Sequence, residues 1–478
     1  MLKKNLIVVY LTLFSVLNLF AQNSVFRLQN YFLRTDSVKN YYHKRFLFKK
    51  LDTLAIEKIN QKILLKTASL GFPFCEISND SLCIKKFKIS LYNTLKFGNK
   101  VFIKNIFLLG DCKISPYYIY NLTDLKPKCL YCEKKINSSD KILSASDFFS
   151  VKRKTQTEFY DGKEADIYFF LESLRANSVN ALASVLYDEI LDRYYLNGEA
   201  FLILRNNFSK GEKFSFNWIG YGKNSQKADL DFFFPFIFRT KTSVAFNADL
   251  NKADSSCINL RFSPKISFMI FSGFNLSLVA AFKKLSPSQG SEEIFSSKSA
   301  LYGFEVSSEK GFQKISFSLL AGKRNFLFGK SNVVELSANF SKTLSFFSNF
   351  DYEFSVSAKD LINNAKIDIH ENYMLGGAKS LRGFSENSIY AARYILSNNT
   401  LWLRPGGSFS VFVFYDCAFF ESETLIQSFK DFPMGFGTGF GVKKSRANTV
   451  FSWALPVENG KILPLRLSKI HISIMLEF

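Results

Sequence analysis

The chain has 478 residues, a formal net charge of +21, and a composition that is 47% hydrophobic and 17% aromatic, with 55 Phe and 21 Tyr. With three histidines and a single CxxC (Cys129, Cys132) lacking a second pair, nucleophile–histidine chemistry and zinc have little to build on, so neither catalysis nor a metal or cofactor is expected. The positive charge would suit nucleic acid, but the first residues point to export, which excludes that partner.

Lys3 and Lys4 precede an apolar run from Leu6 to Phe20 that ends at Ala21-Gln22, the pattern of a secretory signal peptide over residues 1–21. Beyond it no apolar run is long enough for a membrane helix. The aromatics alternate with Ser, Asn, Lys and Asp, which suits either a large β-sandwich or solenoid, or a membrane barrel.

Residues 22–98 and 99–174 read as two small α/β units. In the first, Thr53 to Ser69 forms an amphipathic helix with Ile56, Ile59 and Ile63 at helical spacing. "CIKKFKISLYNTLKFG" (83–98) then gives two strands around a turn. The second begins with a strand from Val101 to Leu109, followed by helical stretches near 115–123 and 138–146 and strands near 148–158 and 163–172. That order is β-α-α-β-β, and the first unit looks like the same order with an obscure beginning. The cysteines at 129 and 132 read as a disulfide or as a pair of free thiols.

From residue 175 to 478 helical signals stop and segments of about ten residues alternate apolar and polar. In "NVVELSANFS", Val334, Leu336, Ala338 and Phe340 share one face, while Glu335, Ser337 and Asn339 share the other. The last segment sets Ile470, Ile472, Ile474, Leu476 and Phe478 against Lys469, His471, Ser473 and Glu477. A soluble sandwich also alternates, but here the polar face repeatedly carries charge, which fits a polar lumen and a lipid-facing exterior. The expected fold is therefore an all-β transmembrane β-barrel of about 16 antiparallel strands preceded by small periplasmic α/β domains. "GFGTGFG" places Gly435, Gly437, Gly439 and Gly441 on one strand face, leaving room there for an inserted loop, and lacks the spacing of a dinucleotide site.

Between the eleventh and twelfth expected strands lies a connection of about 360–390, far longer than a turn, containing "LGGAKSLRGF". Gly376-Gly377 followed by Leu381-Arg382-Gly383-Phe384 resembles the long-loop motif of the outer-membrane β-barrel assembly superfamily, the BamA/TamA or bacterial surface antigen type. "NNFSKGEKFSF" (206–216), "DLDFFFPFIF" (229–238) and the two N-terminal units, which resemble POTRA domains, agree with that family. The resemblance implies a loop folded back into the lumen, with Arg382 meeting a carboxylate on the strand after next. Asp416 in "FSVFVFYDCAFF" fits that role, although Ala418 stands where the family has Gly. The C-terminal Ile474, Leu476 and Phe478 resemble the barrel signal read by assembly machinery.

The resemblance implies an outer-membrane location in a Gram-negative bacterium with the POTRA region in the periplasm. It implies an assembly or insertion factor of accessory, TamA-like type, acting by POTRA strand addition and a lateral barrel seam. Its partners would be unfolded outer-membrane protein clients, the lipid bilayer, and periplasmic or inner-membrane assembly partners. "NALASVLY" (180–187) alternates poorly, so its pairing with 469–478 is expected to be weak. The alternative is a polypeptide export pore of the two-partner-secretion kind; the absence of proline in residues 22–50 counts against it.

Overall fold

The structure, a computed structural model, describes residues 27–477 apart from 36–41, 46–52, 86–87, 189–192, 221–224, 254–256, 272, 288–295, 348, 366, 379, 407, 424–427, 445–446 and 459. The leader expected over 1–21 and the terminal Phe478 lie outside the described residues. The chain divides into two compact units, residues 1–112 with 122–172, and residues 113–121 with 173–478.

The N-terminal unit holds two sheets. β1 (Arg27–Thr35), β2 (Tyr42–Arg45), β3 (Glu76–Lys85) and β4 (Lys88–Lys96) form one sheet in the order β2-β1-β4-β3, with β1 parallel to β4. Helix α1 (Thr53–Ala68) connects β2 to β3. The obscure beginning is thus an antiparallel hairpin, and the described residues run β-β-α-β-β rather than β-α-α-β-β.

The second sheet has the order β5-β7-β6, from β5 (Phe102–Leu109), β6 (Phe149–Tyr160) and β7 (Glu164–Ser173), with β5 parallel to β7. Helices α2 (Pro116–Thr123) and α3 (Glu133–Leu143) lie between β5 and β6 in the chain, giving β-α-α-β-β. Helix α3 starts five residues earlier than its apolar spacing suggests. Cys132 is its extended N-cap and Glu133 supplies the acidic first turn. β7 is the buried centre of this sheet, with Ile167, Phe169 and Leu171 almost fully enclosed. The outer side of β5 is occupied by residues 128–131, which exchange backbone hydrogen bonds with Val101 and Ile103. Cys129 and Cys132 are free thiols, as are Cys75, Cys83 and Cys417.

The second unit is a closed barrel. It starts with β8 (Ser178–Asp188), β9 (Arg193–Arg205), β10 (Lys213–Gly220), β11 (Gln226–Ile237) and β12 (Thr242–Ala253). β13 (Cys257–Phe271), β14 (Phe274–Pro287), β15 (Ser297–Lys310), β16 (Gln313–Phe326), β17 (Gly329–Phe347) and β18 (Phe350–Asn363) continue it. After a long excursion come β21 (Arg393–Leu403), β22 (Phe409–Glu423), β24 (Met434–Lys444), β25 (Ala447–Glu458) and β27 (Lys469–Glu477). Two short strands, β23 (Ser428–Asp431) and β26 (Lys461–Ile462), pair with β22 and β25 as broken beginnings of β24 and β27. The barrel therefore has sixteen antiparallel strands.

Closure is what lipid demands, because an open edge in hydrocarbon leaves each unmade backbone hydrogen bond at a cost of several kcal/mol. Alternation sends Leu278, Phe304, Phe317, Val413, Tyr415, Ile470 and Ile472 outward, where all are exposed. Ser277, Glu335 and Asp416 point inward and are buried. Apolar outside and polar inside is the inverse of a soluble protein and the arrangement of a barrel in a bilayer.

Strand pairing is uneven. β15 and β16 register over fourteen residue pairs, and β8 and β9 over eleven. Among the described residues, β27 and β8 register over only two, Leu476 with Val179 and Glu477 with Ser178.

Candidate functional site

The excursion between the eleventh and twelfth strands, residues 364–392, folds into the lumen. A single 3₁₀ turn (Ile369–Glu371) opens it, capped where the Asp368 carboxylate accepts the His370 amide at 2.9 Å. A short hairpin of β19 (Tyr373–Leu375) and β20 (Ile389–Ala391) forms its neck. The tip is compacted by Ser380, whose hydroxyl accepts from the Gly376 amide at 2.9 Å and donates to the Gly376 carbonyl at 2.8 Å. Gly376 and Gly377 have φ of +106° and +101°, the left-handed backbone that lets the chain turn beneath the neck.

The tip carries Arg382 onto β22. Its Nε donates to Asp416 Oδ2 and its Nη2 to Asp416 Oδ1, both at 2.6 Å, a fork-on-fork pair. The Arg382 amide donates to the same carboxylate at 3.2 Å, and Nη2 donates to the Thr400 hydroxyl at 3.1 Å. The guanidinium lies 3.8 Å from the Phe414 ring centroid. Asp416 is 0% exposed. Alternation along β22 explains the geometry: Phe412, Phe414, Asp416, Ala418 and Phe420 are all buried, while Val413, Tyr415 and Phe419 face outward. The two phenylalanines on the carboxylate's face thus join the inner wall, and one of them supplies the surface on which the arginine stacks.

Apolar neighbours seat the same tip. Leu381 and Phe384 of the loop pack with Leu375, Tyr394, Leu396, Ala418 and Phe420 in one cluster. Ala418 is fully enclosed there, and its methyl is part of the contact. Asn398 on β21 donates to the Ser380 carbonyl at 2.6 Å. Gly435 is the closest approach: a Cβ built on it would lie 1.8 Å from the Arg382 carbonyl oxygen. Gly383 approaches β25, where a Cβ would lie 3.1 Å from Leu455 and Pro456 backbone atoms.

The remaining glycines of that strand act differently from the expectation. Gly437 and Gly439 make room for the barrel's own Phe414 and Phe412 rings, and Gly441 sits beside Ser410. Only Gly435 of the four faces the loop. Ile474 and Leu476 are exposed on the outer face of β27.

A second set of loop contacts is absent from the sequence reading. Glu371 on the 3₁₀ turn accepts from Arg324 Nη2 on β16 and from the Ser297 hydroxyl on β15, both at 2.6 Å. Asn259 on β13 donates to the His370 carbonyl at 2.9 Å. Close by, Glu335 on β17 accepts from Lys283 on β14 and pairs with Arg261 on β13 at 3.1 Å. The Tyr373 ring of the loop lies 5.9 Å from the Lys283 nitrogen and 5.1 Å from the Lys359 nitrogen. The loop is thus attached to the wall of β13–β17 by its first turn and to the wall of β21–β25 by its tip. No local spacing could reveal this cluster, because Arg261, Lys283, Glu335 and Lys359 come from strands tens of residues apart. The one visible sign was Glu335 on a polar strand face.

Residues 316–463 match the Omp85 superfamily domain. No curated protein matches the chain. Among solved structures, CdiB from Escherichia coli aligns over 95% of this chain and 90% of its own, at 11% identity and a TM-score of 0.59. CdiB from Acinetobacter baumannii aligns over 90% and 83%, at 12% identity and a TM-score of 0.55. The likeness to both is one of fold. BamA from Haemophilus ducreyi lacking POTRA domains 1–3 aligns over 90% and 94% with a TM-score of 0.46 and 12% identity, and adds no further weight.

Two outcomes are expected from the lumen. Removing one partner of the enclosed pair, by Arg382→Ala or Asp416→Ala, should destabilise the folded barrel by about 3–5 kcal/mol in urea titrations, with the double variant far from additive. A loss below about 1 kcal/mol would mark the pair as solvated. In the same assay Glu335→Ala, which strands Lys283 and Arg261, should cost clearly more than Glu305→Ala, which releases only the half-exposed Lys265. Equal costs would show that the cluster is not enclosed.

Proposed function

We propose that this chain, residues 316–463 of which match the Omp85 superfamily domain, is an outer-membrane factor of accessory, TamA-like type that assembles or inserts other β-barrel proteins. The observation that carries the reading is the seam. β8 pairs with β9 along its whole length, but among the described residues it pairs with β27 only at Ser178 and Val179. The rest of its second edge has no registered partner across the seam among the described residues. In a bilayer such an edge gains several kcal/mol per group by taking up an incoming strand, so a client hairpin finds there a template that the other strand pairs do not offer.

The N-terminal unit supports the same reading. In its second sheet the outer side of β5 is covered by residues 128–131, whereas β6 is an edge carrying exposed Lys152, Arg153 and Lys154. Main-chain pairing along β6 with an extended client, unfolded and facing the periplasm, would be addition of a fourth strand. The basic side chains suit acidic clients and limit pairing between copies. Clients are unfolded outer-membrane proteins, and periplasmic or inner-membrane partners would deliver them.

The export-pore alternative needs a lumen open to a polypeptide. The loop attached to two walls stands across that route, which favours the seam over the lumen as the working surface.

Val179→Cys with Leu476→Cys places two thiols on directly registered residues. Locked by oxidation, this variant should lose barrel insertion in the native host and recover it on reduction, while each single variant remains active. A locked protein that still inserts clients, or depletion that removes one large secreted polypeptide with other barrels intact, would sink the assembly reading in favour of the export pore.

A further inference from the structure

Residues 113–121 belong to the compact unit of the barrel. They are tied to the two turns at the end where β8 begins. The Ser115 amide donates to the Ser209 carbonyl at 2.8 Å, and Asn206 Nδ2 donates to the Lys113 carbonyl at 2.9 Å. Asn121 Nδ2 donates to the carbonyls of Arg239 and Thr240 at 3.2 and 3.3 Å. Between this segment and the turns lies a cavity of about 450 Å³, walled by Tyr117, Tyr118, Phe208, Lys210, Phe234 and Arg239 among others. That volume falls within the range of small-ligand sites.

The cavity opens at the margin of the lipid-facing surface. Along β11, Asp229 and Asp231 turn to the polar interior, accepting bonds from Asn217, Ser215 and Asn247. Phe232 and Phe234 alternate with them and so face outward, and Phe232 continues into an outer aromatic ladder through Phe246 and Phe262, with centroids 5.1 and 6.2 Å apart.

Two cations stand at this margin. Lys210 Nζ is 5.5 Å from the Phe234 ring centroid, and the Arg239 guanidinium is 4.4 Å from that of Tyr117. Neither meets a carboxylate among the described residues. The nearest acid in sequence, Glu212, is buried and uses both oxygens on the amides of Phe208 and Lys210, at 2.6 and 3.1 Å. The turn itself is bent unusually: Phe236, Phe238 and Arg239 have φ of +51°, +51° and +62°, which bulky residues rarely adopt. It holds Phe238 90% exposed, beside Phe208 at 72%. A strained turn that presents phenyl rings gains nothing in water, but at a bilayer boundary those rings enter the acyl region and the neighbouring cations reach the phosphate plane.

We propose that this cavity is a binding site for an anionic phospholipid, with Lys210 and Arg239 holding the phosphate and the Phe234 face receiving the upper acyl chain. The site rests on the reading of the barrel as membrane-embedded. It would fix the depth of the barrel at the turns where residues 113–121 are attached.

The test uses the full chain, folded in detergent and stripped of lipid, with folding checked by the gel-mobility shift of an unheated barrel. Dioctanoyl phosphatidylglycerol, dioctanoyl phosphatidylcholine and inorganic phosphate are titrated separately and read by native mass spectrometry. Phosphatidylglycerol should bind at one per chain, about tenfold or more tighter than phosphatidylcholine, and inorganic phosphate should not compete. Lys210→Gln with Arg239→Gln should abolish that preference. Lys443→Gln with Lys444→Gln, which removes the same charge at another turn of the same barrel end, should leave it intact. Equal binding of the two lipids, full competition by inorganic phosphate, retention in the first double variant, or equal loss in the second would each overturn the site. In a folded barrel those outcomes leave the membrane reading standing; a chain that does not fold and insert overturns both.

Discussion

Hydrocarbon allows no unpaired backbone, and this constraint governs the whole second unit. It forces sixteen strands to close, turns the apolar side chains outward, and makes every strand pair part of one continuous ladder. It also makes the exception informative. A ladder that runs over eleven to fourteen pairs at β8–β9 and β15–β16 narrows, among the described residues, to two at β27–β8. A barrel held elsewhere so thoroughly has its least resistance at the place where the chain's first and last strands meet.

The lumen compensates for that weakness from inside. A loop attached at one end to Arg324 on β16 and at the other to Asp416 on β22 ties distant walls together without adding a strand. Its tip also touches β25 through Gly383, and β25 is the strand that carries β27 through eight registered pairs. The Arg382–Asp416 pair therefore steadies the wall beside the seam rather than the seam itself. That arrangement keeps the body of the barrel rigid while its closing edge stays poorly paired, which is what a laterally opening insertase would require.

Much of this architecture was legible in the sequence because a strand in lipid writes a period-two pattern and a long loop breaks it. The Gly-Gly and Leu-Arg-Gly-Phe elements directed attention to Arg382, and the resemblance they carry pointed to Asp416; the phase of 409–420 was a less clean guide, because Phe412 and Phe414 share the carboxylate's face. What stayed hidden depends on three-dimensional convergence. Lys283, Arg261 and Glu335 look like ordinary polar-face residues of separate strands until the barrel closes around them. The roles of Gly437 and Gly439 were hidden for the same reason: spacing shows that they share a face, but not that Phe412 and Phe414 reach across from the neighbouring strand to fill it. The N-terminal sheet was obscured because β1, besides its short hairpin with β2, pairs in parallel with β4, whose residues lie about sixty positions further along the chain.

Hydrogen–deuterium exchange in lipid nanodiscs measures the central claim directly, because amide protection reports local opening pair by pair. Amides of β8 on the β27 side, and those of β27 near Leu476, should exchange orders of magnitude faster than amides at the β15–β16 and β16–β17 interfaces. Uniform protection around the barrel, with β27 and β8 as slow as the fourteen-pair interfaces, would contradict a weak seam and with it the proposed route of insertion.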